Sequence, residues 1–113
     1  MHTARGNFKN NDNHFSVKFF VESEHHSVEF EGVFTKPVPR IKKAFAAVEY
    51  DDTRELFGTY EIEPGSTVGR DILTLMIRNV RDDILTITGE LERPGLDKTY
   101  PLQGHGRWLI HRK

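Results

Sequence analysis

Six histidines and several closely spaced aspartates are the residues in this chain best suited to bind a metal or move a proton. His25, His105, Asp52 and Asp83 fall in segments that read as turns. Imidazole together with carboxylate is a ligand set for zinc, manganese or iron, or a pair for acid–base work. A plainer reading competes with it. Aspartate is favoured in turns because its carboxylate bonds its own backbone, and adjacent His25 and His26 would point to opposite faces of a strand. A second grouping is basic: Lys36, Arg40, Lys42, Lys43, Arg70, Arg93 and Lys98. Gathered at one end, these seven would receive an acidic protein face or a small anionic ligand through charge-assisted bonds. Gly65 and Gly69 would let a ligand approach the backbone there, and Ser66 and Thr67 could donate hydrogen bonds. The competing role for such a rim is to keep loops soluble and edges unpaired.

The elements that must position these groups are strands. Val, Ile, Thr, Phe, Tyr and Trp total 36 of 113 residues, against four Ala and one Gln. Branched and aromatic side chains fit a pleated surface better than a helix. Phe15, Val17, Phe19 and Val21 alternate with polar or exposed positions, as do Val28, Phe30, Gly32 and Phe34. Period two of this kind predicts half-buried antiparallel strands. Further strands are expected over 44–50, 55–63, 72–79, 84–92, 98–103 and 107–111. Turn signals separate them at Asp51-Asp52, Pro64-Gly65-Ser66, Arg93-Pro94-Gly95 and Gly104-His105-Gly106. The expected fold is all-β, a single antiparallel sandwich or small barrel of seven to eight short strands.

One segment is ambiguous. Ile41, Phe45 and Val48 suit one face of a short helix over 39–48, or a Pro-bounded loop feeding a strand. Residues 1–13, rich in Asn and without an apolar run, are expected to be disordered, with one domain over 14–113. Phe15, Phe19, Phe30, Phe34, Leu75, Ile77, Leu85, Ile87 and Leu91 form the expected core. Trp108 should cap it with Ile110, its indole N–H requiring an acceptor.

Several function classes drop out. The chain has no cysteine, which removes disulfides, thiolate nucleophiles and sulfur-ligated zinc. Sixteen Lys and Arg against seventeen Asp and Glu give net charge −1, so no global field draws the protein to nucleic acid or anionic lipid. Seven basic residues at one end make no stripe for an extended nucleic-acid backbone. No apolar run approaches a membrane span, and no secretory signal is evident, so a cytoplasmic setting is expected. Glycine-rich phosphate loops, a nucleophile elbow and a His-Glu-x-x-His pair are missing from the sequence. The closing Gly104-x-Gly106-x-Trp108 run resembles the Gly-x-Trp of calycin barrels in residue types, although theirs lies near the N-terminus.

If alternate loops of an up-and-down sheet share an end, the His/Asp group and the basic group lie at opposite ends. The expected function is therefore a non-catalytic module that binds a partner protein or a small anionic ligand, with no cofactor. Two alternatives stand beside it. One is a metal-assisted or acid–base enzyme using a divalent ion at the His/Asp end. The other is a subunit of a larger assembly. A homo-oligomer through an open edge strand is compatible with each.

Overall fold

A computed structural model of the chain describes residues 2–11, 13–21, 26–41, 44–92 and 95–111. Ten strands make one antiparallel sheet: β1 (His2–Asn11), β2 (His14–Val21), β3 (His26–Phe34), β4 (Ala44–Tyr50), β5 (Gly58–Ile62), β6 (Thr67–Val68), β7 (Ile72–Arg78), β8 (Ile84–Leu91), β9 (Tyr100–Pro101) and β10 (Gly104–His111). Eight of them close into a barrel in the order β1-β2-β3-β10-β5-β7-β8-β4, with β4 returning to β1. Closure between β5 and β7 rests on the pairs Glu61↔Arg78 and Ile62↔Ile77. Strands β6 and β9 lie outside the ring, β6 along the lower part of β7 and β9 along β6.

The period-two pattern dictates which side chains fill the interior. Phe8, Phe15, Phe19, Phe30, Phe34, Tyr60 and Trp108 all point inward and are buried. Their rings pack at centroid distances from 4.4 Å (Phe15–Phe34) to 6.4 Å (Phe30–Tyr60). Leu73, Leu75, Ile77, Leu85 and Ile87 supply the aliphatic wall opposite. All nine residues expected in the core are buried. Bulky rings demand space at the backbone, and glycine provides it. Gly32 faces Gly106 across β3 and β10. A Cβ at Gly32 would come within 2.7 Å of the Phe15 ring, and one at Gly106 within 2.7 Å of the Phe30 ring. The two rings thus lie directly on bare main chain.

Two expectations are corrected. The N-terminal residues described do not form a disordered tail: His2–Asn11 is β1, between β2 and β4. Its polar composition hides an alternation in which Ala4, Phe8 and Asn10 face inward and Thr3, Arg5, Asn7 and Lys9 face out. No helix forms over 39–48 among the described residues. Ala44, Ala46, Val48 and Tyr50 bury one face of β4, so the Pro-bounded loop feeding a strand is the observed form. The barrel is not a simple meander either, because β10 inserts between β3 and β5.

Antiparallel alternation still gives the barrel two distinct ends. Links 51–57 and 79–83 lie at one end. Links 35–41, 63–71 and 95–103 lie at the other. This second end is plugged. Val38 and Ile41 are buried in the core, joined from the neighbouring link by Leu96 and Leu102. Asn10, at the end of β1 and 4% exposed, fastens the plug. Its Nδ2 donates to the Pro39 carbonyl at 3.1 Å, and its Oδ1 accepts from the Ile41 N–H at 2.8 Å. The terminal strand β9 is two residues long and includes Pro101, so little main-chain edge remains unpaired. No helix among the described residues is long and apolar enough to cross a membrane.

Candidate binding site

Asp52 and Asp83 lie at the open end and are held by turn chemistry. Asp52 caps the 3-10 turn Thr53–Glu55: its carboxylate accepts from the Arg54 N–H at 2.9 Å and pairs with the Arg54 guanidinium at 2.8 Å. The Arg54 side-chain bond, then its N–H, holds the Asp52 carboxyl below the usual carboxylate range. Asp83 accepts from Asn79 Nδ2 at 3.1 Å and sits 3.6 Å from Arg81. The Tyr60 hydroxyl joins the two links, donating to the Glu55 carbonyl at 2.6 Å and accepting from Asn79 Nδ2 at 3.3 Å. Burial is the main cause that pushes the Tyr60 phenol above its ordinary value.

The expected metal set does not converge. His105 is the second residue of β10, at the plugged end and opposite Val33 and Glu61, whereas Asp52 and Asp83 lie in links at the open end. His25 lies outside the described residues. Among those described, no group of three or more His, Asp or Glu is placed to hold an ion. The reason is topological. The 98–103 segment does not traverse the barrel as a strand but contributes only β9, so residues 92–106 stay at one end.

The basic group fares differently. Lys36, Arg40, Arg70 and Lys98 are all exposed at the plugged end, while Lys42, Lys43 and Arg93 lie outside the described residues. Acidic neighbours offset the four. Glu63, Asp71, Glu92 and Asp97 occupy the same links. Arg70 Nε donates to the Asp97 carbonyl at 3.4 Å, and the Lys98 ammonium lies 5.3 Å from the Tyr100 ring centroid. The Tyr100 hydroxyl donates to Asp97 Oδ1 at 2.8 Å, which raises the phenol's pKa. At the open end, Asp51, Asp52, Glu55, Asp82 and Asp83 outnumber Arg54 and Arg81. The two ends therefore differ in charge chiefly because the open end is acidic.

Arg40 separates from the rest of the rim. It leaves the plug beside a depression of about 820 Å³ on the outer face of β1, β2, β3 and β10. Cross-strand register builds the floor: Lys9 faces Ser16, Ser16 faces Glu31, Glu31 faces Arg107, and Arg107 faces Thr59. The next row sets His14 and His105 on either side of Val33. Three cations, Lys9, Arg40 and Arg107, meet two carboxylates, Glu29 and Glu31. Glu31 takes Arg107 at 3.3 Å. Among the described residues, Lys9 and Arg40 enter no ion pair. Sequence reasoning missed Lys9, His14 and Arg107. Their outward parity was visible, but their adjacency depends on β10 pairing with β3, which no local pattern encodes.

The chain has no match among protein-family models, curated proteins or solved structures.

Proposed function

We propose that this chain is a non-catalytic binding barrel that receives an anionic partner, an acidic peptide segment, in the depression beside the plug. The observation that carries this reading is the convergence of Arg40 and Lys9 on one 820 Å³ depression, with neither side chain in an ion pair among the described residues. The Asn10 clamp holds the adjacent backbone, so Arg40 projects from a fixed position. A backbone already held in place need not be ordered when a carboxylate arrives. Ser16, Thr59 and Asn11 add hydroxyl and amide donors around them. A cytoplasmic setting belongs to this reading.

The test is anisotropy titration of a fluorescein-labelled oligoglutamate peptide. Affinity should fall as salt rises, since exposed charges are screened beyond about 8 Å at physiological ionic strength. The Lys9→Glu/Arg40→Glu variant should weaken binding about tenfold or more, roughly 1.4 kcal/mol. Binding that ignores both salt and the reversal, or no binding at all, refutes the proposal.

A further inference from the structure

Among the described residues, the inward face of β10 is incompletely covered at the open end. Trp108 and Ile110 share the inward face of β10, opposite Phe30 and Val28 on β3. Trp108 is 5% exposed, whereas Ile110 is 41% exposed. The space above Ile110 is a pocket of about 370 Å³, within the size range of small-molecule sites and at a barrel mouth, where such sites recur. Val21, Val28 and Leu56 complete its apolar floor, and Phe57, 65% exposed, stands at its side.

The rim is cationic toward the pocket. Arg54 and Arg81 line it, while no Asp or Glu does so among the described residues. Asp52 and Asp83 hold those arginines at 2.8 Å and 3.6 Å without lining the pocket themselves. Each guanidinium keeps further N–H donors beyond those bonds. One inward position before Ile110 on β10, the Trp108 indole N–H is buried without an acceptor among the described residues.

We infer that this mouth is a binding site for a small amphipathic anion, with an apolar body in the pocket and a carboxylate or sulfonate head against Arg54 and Arg81. It is separate from the acidic-peptide site at the plugged end and does not depend on it. An ammonium head would gain no hydrogen bond from Arg54 or Arg81, whose guanidiniums only donate.

Trp108 is the single tryptophan and reports on the site directly. Anilinonaphthalene sulfonate is the first probe, added to the folded protein, with far-ultraviolet circular dichroism as the control for folding. Saturable binding of one dye per chain, with energy transfer from Trp108, is expected. Octanoate should displace the dye, and octylamine should not. Phe57 and both arginines are exposed, so their replacement leaves the core intact. Arg54→Gln/Arg81→Gln should weaken octanoate about tenfold while leaving octanol unchanged, and Phe57→Ala should weaken both. Lys9→Glu/Arg40→Glu should change neither. Absence of saturable binding overturns the inference, as does binding that the plug-end variant abolishes or that all mouth variants leave unaltered.

Discussion

Replacing Asn10 by alanine should loosen the plug more than the loss of one polar side chain suggests. The amide makes two bonds across 29 and 31 residues of sequence, to the Pro39 carbonyl and the Ile41 N–H. Each such bond contributes a net 0.5–1.5 kcal/mol or so, and an orphaned buried N–H costs about 1–3 kcal/mol. The Pro39 carbonyl is only partly buried and can turn to water. The Ile41 N–H bond to Asn10 is buried, so its loss leaves the donor away from water. A loss of about 2–4 kcal/mol follows, a large share of the roughly 5–15 kcal/mol that holds a domain together. Asn10→Asp restores the acceptor for Ile41 but not the donor for Pro39, and introduces a carboxylate into a 4% exposed position. It should therefore be no better than alanine near neutral pH. Urea unfolding gives the magnitude, and hydrogen exchange at the Ile41 amide gives the location. If Asn10→Ala costs under about 0.5 kcal/mol and the Ile41 amide keeps its protection, the clamp is not what fastens the plug.

Two further expectations concern the core and the open end. Phe30 is fully buried against Phe15, Tyr60 and Trp108, so Phe30→Ala should cost roughly 3–5 kcal/mol in chemical denaturation; a cost below about 1 kcal/mol would contradict the inward register of β3. The raised Tyr60 phenol favours the folded state fully below its unfolded value of ~10, and that contribution is lost as pH climbs through the higher folded value. Tyr60→Phe should flatten stability above pH ~10 and remove the bond to Glu55, costing about 0.5–1.5 kcal/mol near neutrality. An alkaline unfolding curve identical to that of the wild type would refute the assignment.

Much of the architecture was legible because strands advertise themselves by parity. Phe15 to Val21, Val28 to Phe34 and Ile84 to Leu91 needed only alternation to place their inward faces. The sorting of most links between two ends also survived a wrong strand order, since it depends on strand direction alone. What failed had physical causes. Asn7, Asn10 and Asn11 resemble loop composition, yet Asn10 is an inward clamp and β1 fills the gap between β2 and β4. His105 was misplaced because β9 is a two-residue graze along β6 rather than a crossing strand. The binding depression could not be read at all. It joins residues from β1, β2, β3 and β10, brought together by packing of the Phe8, Phe15 and Phe30 rings rather than by any local signal.

The position of β10 has a consequence for how the chain is made. The ring is incomplete without this strand, which pairs with β3 on one side and β5 on the other. On the ribosome, the β1–β2–β3 sheet and the β7–β8 hairpin can form from contiguous sequence as soon as they emerge. Both flanks of the missing strand stay open until residues 104–111 leave the exit tunnel. Phe30 and Tyr60 then lack their cover from Trp108, Gly106 and the rest of β10, so the nascent protein presents an aromatic cleft with two unsatisfied edges. Such edges are templates for other chains, and non-local closure is slow. Synthesis of this barrel thus passes through a stage in which premature release would yield an open sheet, adhesive along β3, instead of a smaller version of the fold.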